Sequence, residues 1–149
     1  MTGRIKATGS VQSLLNGRYE CTESCFDSLF MNCTSLITAP KLPATTLASS
    51  CYMLMFASCT SLTTAPELPA TTLANSCYSN MFDHCFQLLK APELPATNLK
   101  IYCYAGMFQN CTSLQKIIIP NGEDSLQVGD SVVVVTLERK IHDITDILS

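Results

Sequence analysis

The chain has 149 residues and only 14% charged side chains, against about 25% in an ordinary globular protein; by length it is one domain, able to bury a continuous core. A net charge of −3 without any basic cluster excludes nucleic acid as a partner, because that binding rests on neutralising phosphates. No apolar run approaches the roughly 18 residues of a membrane helix, which excludes membrane insertion.

At the front, Arg4 and Lys6 supply positive charge but no apolar stretch follows, so no signal peptide is visible. The chain is therefore expected either in the cytoplasm or, as an excised piece of a longer exported protein, outside the cell or on its surface. Residues 1–24 read as an N-terminal cap. Within Ile5–Leu15 the stretch from Val11 alternates, and Asn16 with Gly17 forms a turn, so a capping strand is expected there.

Four units follow, at 25–50, 51–76, 77–102 and 103–120. Cys25, Cys51, Cys77 and Cys103 stand at intervals of 26, and Cys33, Cys59, Cys85 and Cys111 repeat that interval eight residues later. A fixed period of this length is the mark of a solenoid, whose units bury their apolar faces only against neighbours. Within a unit, Leu47, Cys51, Met55 and Cys59 recur at every fourth residue, flanked by Tyr52 and Phe56, which predicts one face of a short helix. Leu73, Cys77, Met81 and Cys85 predict the next, and Leu99, Cys103, Met107 and Cys111 another. Cys21 takes the leucine position of the first unit and reads as a small apolar substitute rather than a reactive thiol.

Leu36–Ala39, Leu62–Ala65, Leu88–Ala91 and Leu114–Ile119 are predicted as short parallel strands. Pro40, Pro66 and Pro92 end them, since proline offers no N–H for pairing. Stacked about 4.8 Å apart, equivalent side chains form ladders. The expected ladders are Phe30, Phe56, Phe82 and Phe108; Leu29, Met55, Met81 and Met107; and the two cysteine series. Residues 121–149 are expected to fold over the last unit as a β-rich cap, with Ser131–Leu137 its β-forming run and Ile141, Ile144, Ile147 and Leu148 a short helical face. The fold class is thus an α/β solenoid, a leucine-rich-repeat-like right-handed coil with one short parallel strand and one short helix per rung, capped at both ends.

Three readings compete for the cysteines. Zinc usually takes close Cys-x-x-Cys pairs with histidine or further cysteine nearby, and none occurs, so no metal and no cofactor is expected. Disulfides between successive rungs have permitted Cα separations, but stacked Cβ vectors run parallel and aim the sulfurs poorly. Reduced, buried thiols packing as small hydrophobes are the favoured reading. Asp83, His84 and Cys85 put three catalytic residue types in a row, yet a triad needs groups that converge in space and helical neighbours diverge. His84 also occupies a slot held elsewhere by Asn32, Ser58 and Asn110, and His142 reads as a solvated side chain. No catalytic residue is assigned, and the chain is read as no enzyme. The Asn-x-Thr patterns at Asn32 and Asn110 arise because asparagine happens to precede the repeated Cys-Thr-Ser-Leu.

Outward strand positions vary while the core repeats: Ile37, Thr38 and Lys41; Thr63, Thr64 and Glu67; Leu89, Lys90 and Glu93; Gln115, Lys116 and Ile118. Solenoids use such faces for partners, so these residues form the expected binding face, with a simple solvated surface as the alternative.

Met55–Ala74 reads Met-Phe-x-x-Cys-Thr-Ser-Leu-Thr-Thr-Ala-Pro-Glu-Leu-Pro-Ala-Thr-Thr-Leu-Ala, with looser copies from Leu29 and Met81. From Leu114 the chain follows the shorter form Leu-x-x-Ile-x-Ile-Pro-Asn. Over residues 10–122 the chain resembles the BspA-like leucine-rich repeats of bacterial surface proteins, common in gut Bacteroidetes. The resemblance implies an arc with a parallel sheet on one face and short helices on the other, and export for adhesion to host proteins or other cells. It supplies no catalytic residues. The expected function is a protein- or glycan-binding adhesion module; the alternative is an architectural spacer or assembly subunit, with a phage among its sources, that takes no small ligand.

Overall fold

The computed structural model describes residues 3–15 and 20–114. The Asn16 and Gly17 turn, the end of the predicted strand past Leu114, and the C-terminal cap lie outside the described residues.

The expected helices are replaced by chained turns. Among the described residues no α-helix forms, and 23–32, 49–58, 75–84 and 101–110 are each continuous turn. Every fourth residue there is left-handed: Ser24, Ser28 and Asn32, then Ser50, Leu54 and Ser58, then Ser76, Asn80 and His84, then Tyr102, Gly106 and Asn110, with φ between 52° and 62°. One left-handed residue ends a helical turn before the next can begin. The physical reason lies in the period. In an α-helix each step of four residues drifts by about 40°, so a strict four-residue spacing would not keep one face. A repeat of four residues does. Serine, asparagine and glycine hold most of these positions, and asparagine and glycine tolerate left-handed backbone best.

The turns are held by an alternation of hydrogen bonds. Odd-numbered N–H groups bond within the unit to the carbonyl three residues back, as from Met53 to Ser50 (3.1 Å), Met55 to Tyr52 (3.3 Å) and Ala57 to Leu54 (2.9 Å). Even-numbered groups cross to the following unit, as from Tyr52 to Cys77 (3.0 Å), Leu54 to Ser79 (2.9 Å), Phe56 to Met81 (2.9 Å) and Ser58 to Asp83 (2.7 Å). Each N–H from Ser50 through Cys59 is satisfied in this way. A unit offers half its donors to itself and half to its neighbour.

On the opposite side the pairing is sparse. Strand β1 (Ile5–Lys6) pairs in parallel with β2 (Leu36–Thr38), with Ile5 opposite Leu36. The capping strand therefore lies earlier than Val11–Leu15, which is a 3-10 helix. Ser10 causes it: its hydroxyl accepts from the Gln12 N–H (3.2 Å) and its carbonyl from the Ser13 N–H (3.2 Å). The strands expected at Leu62–Ala65 and Leu88–Ala91 contract to single parallel bridges, Thr38 to Thr64 and Thr64 to Lys90. Pro66 and Pro92 follow within two residues and stop the ladder.

Two aromatic ladders run through the stack. Phe30, Phe56, Phe82 and Phe108 stack with centroids 5.5, 5.7 and 5.6 Å apart. Beside them Phe26, Tyr52, Tyr78 and Tyr104 stack at 5.7, 5.8 and 5.7 Å, within the range of offset stacking. The second cysteine series ties units together through its thiols: Cys59 Sγ donates to Phe30 O (3.1 Å), Cys85 to Phe56 O (3.2 Å) and Cys111 to Phe82 O (3.1 Å). At the first unit the predicted core thins. Leu29 is 43% exposed and Cys33 is exposed, because among the described residues no further unit stacks on that side of them. Truncating Phe56 to Ala removes a ring fully buried between two others and is expected to cost about 3–5 kcal/mol in urea unfolding. Gly106→Ala is expected to destabilise as well, since its Cβ would meet the Asn80 side chain at a left-handed position; the shift in urea midpoint checks it.

Candidate binding cleft

The predicted binding face divides. A cavity of about 440 Å³ opens between the second and third units, lined by Thr64, Ala65, Pro66, Glu67, Leu68 and Pro69 from one and Lys90, Ala91, Glu93 and Pro95 from the other. Four predicted residues meet there: Thr64, Glu67, Lys90 and Glu93. Thr38, Lys41 and Leu89 are exposed but do not line it, and Ile37 and Thr63 are half-buried. The Lys41 backbone is engaged by the N-terminal segment, donating to Gly9 O (2.8 Å) and accepting from the Val11 N–H (3.2 Å). Gln115, Lys116 and Ile118 lie outside the described residues.

The cleft exists because the proline segments cannot join a sheet. Pro66, Pro69 and Pro95 have no N–H, and the N–H groups of Glu67 and Leu68 have no backbone partner among the described residues. Leu68 and Leu94 turn inward and anchor the two segments at 3% and 7% exposure. Between these anchors Glu67, Lys90 and Glu93 stay exposed, and among the described residues no ion pair joins them. The result is an apolar floor with a mixed-charge rim and free backbone groups, suited to hydrogen-bonding an extended or hydroxyl-rich ligand. The prolines and inward leucines were legible only as turn makers; their role as walls needs two units side by side.

The Asp83, His84 and Cys85 run does not converge. His84 Nδ1 lies 2.8 Å from Asp83 Oδ1 on the surface, while the buried Cys85 thiol points to Phe56 O. Among the described residues no group of three or more His, Cys, Asp or Glu side chains could hold a metal ion, and no helix is long and apolar enough to cross a membrane. Burial pushes the thiols of Cys59, Cys77 and Cys111 up to about 12. These groups bind protons more tightly folded than unfolded. Their contribution to stability is therefore full below the ordinary thiol range and is lost as pH rises through it towards 12. Urea midpoints measured from pH 8 upward should fall steadily over that window, and less steeply in Cys59→Ala.

No protein-family model, no curated protein and no solved structure matches the chain.

Proposed function

We propose that this chain is a leucine-rich-repeat solenoid of the BspA-like type that binds a protein or glycan, as the adhesion part of an exported bacterial surface protein. The observation that carries the reading is the meeting of Thr64, Glu67, Lys90 and Glu93 around one cavity. Repeat modules bind through such varied positions on a constant scaffold. Lys90→Glu should weaken a partner found on protein and glycan arrays by about tenfold or more, equivalent to about 1.4 kcal/mol, whereas Lys41→Glu, outside the cavity, should not. Unchanged binding by Lys90→Glu would count against the cleft.

One observation favours the architectural alternative. The N–H groups of Tyr102, Tyr104, Gly106, Phe108 and Asn110 have no backbone partner among the described residues. The carbonyls of Glu23, Cys25, Asp27, Leu29 and Met31 likewise accept no backbone bond there. These rows are what one unit offers and the next accepts, so a second copy could continue the ladder head to tail. Ile101 and Tyr102 (62% and 54% exposed) and Leu29 and Met31 (43% and 41%) border the two rows. In light scattering, wild type should then associate with concentration. Leu29→Asp and Tyr102→Asp should each stay monomeric alone, and mixed together they should form dimers and nothing larger. A wild type that is monomeric at every concentration excludes this reading.

A further inference from the structure

The first unit shows how an extended segment docks on this repeat. Its Ala39-Pro40-Lys41-Leu42-Pro43 stretch is the counterpart of Ala65-Pro66-Glu67-Leu68-Pro69 and Ala91-Pro92-Glu93-Leu94-Pro95. The prolines lack an N–H, but the residue after the first of them keeps both a donor and an acceptor. At Lys41 both are used. Its N–H donates to Gly9 O (2.8 Å) and its carbonyl accepts from the Val11 N–H (3.2 Å), so Ser10 stands opposite Lys41 in a parallel bridge. Val11, the next residue of that segment, is buried at 2% exposure. Two backbone bonds and one apolar anchor thus hold a piece of extended chain against the proline stretch.

Two units on, Glu93 stands where Lys41 stands, and neither its N–H nor its carbonyl has a backbone partner among the described residues. Because the units repeat in register, the groups that Lys41 turns towards the segment before it, Glu93 turns towards the second unit. The cavity of about 440 Å³ lies on that side, and Glu93 lines it. Thr64 bridges to Lys90 just before the prolines, and among the described residues no backbone hydrogen bond joins 65–69 to 91–95. Ala65, Leu68 and Ala91 supply an apolar floor of the kind that receives Val11. None of the described residues that line the cleft is aromatic, so no ring offers a sugar a face to stack on.

We propose that the cleft takes an extended peptide, running parallel to the third unit and pairing with the N–H and carbonyl of Glu93. This rests on the binding reading of the cleft and narrows its ligand from protein or glycan to a peptide segment. The peptide residue opposite Glu93 takes the place of Ser10 against Lys41; Glu67 and Glu93 both border it, so that residue is basic. An apolar residue follows it, as Val11 follows Ser10. Towards its N-terminus the peptide leaves past Lys90, which selects an acidic residue there. Backbone pairing supplies affinity and the three side chains supply selectivity.

A random nonapeptide library selected on the full chain, counter-selected on the Lys90→Glu protein and followed by fluorescence anisotropy, tests this. Selected peptides are expected to share the order acidic, basic, apolar. N-methylating the apolar residue removes the N–H that the Glu93 carbonyl accepts and should weaken binding by about tenfold. N-methylating the basic residue, whose N–H points away from Glu93, should not; recognition by side chains alone would not separate the two. Glu93→Lys should weaken binding, and Lys41→Glu should leave it unchanged. Equal effects of the two N-methylations, or peptides that bind Glu93→Lys as tightly as wild type, overturn the proposal. A Lys90-dependent hit on a glycan array with no selected peptide overturns it as well but leaves the cleft reading standing, whereas no Lys90-dependent binding of either kind overturns both.

Discussion

The structure depends on a backbone that turns left-handed once in every four residues. Among the described residues eleven non-glycine residues adopt positive φ, each at a cost of roughly 1–2 kcal/mol for an L side chain. The cost is offset only when the intervening even-numbered N–H groups reach the carbonyls of a neighbouring unit, as Phe30 reaches Met55 and Phe56 reaches Met81. A single unit would keep the strain and lose the bonds. Each unit is therefore stable only in company, and the stack should form and melt cooperatively.

The same backbone explains the choice of side chains. It brings equivalent residues of successive units into register, so large rings can stack and small side chains must fill the space between them. Cysteine suits the second series because it is small, apolar and able to donate weakly: Cys59, Cys85 and Cys111 each bond the phenylalanine carbonyl of the preceding unit. That carbonyl already accepts the cysteine N–H of its own unit, as Phe56 O does from Cys59 at 3.0 Å. Alanine would fill much of the space but leave the carbonyl with one bond fewer.

The cleft is a by-product of how each unit closes. After one bridging residue the chain reaches Ala-Pro, leaves the ladder, tucks a leucine inward and returns to the turns. Thr64 and Lys90 are the bridging positions just before Ala-Pro on their units, so their side chains stand at the mouth of the gap that the prolines open. Glu67 and Glu93 follow one residue after the prolines, on the outer side of segments pinned by Leu68 and Leu94. Variation at these four positions costs the stack little, which is why a binding role fits them better than it fits the half-buried Ile37 and Thr63.

The period of 26 and the identity of the Phe30, Phe56, Phe82 and Phe108 ladder were legible because equivalent residues repeat without insertion. The second ladder was harder to see, since Phe26, Tyr52, Tyr78 and Tyr104 differ in type. The helices were misread because a face defined at every fourth residue fits an α-helix over two turns. Only its persistence over Leu47, Cys51, Met55 and Cys59, together with serine at two of the three intervening left-handed positions, Ser50 and Ser58, separates the two. The sequence by itself determined which residues are equivalent and which vary. Tertiary structure decided the conformation within each unit and which varied residues share a cleft, because the hydrogen bonds that hold the turns and the walls that form the cavity both belong to two units at once.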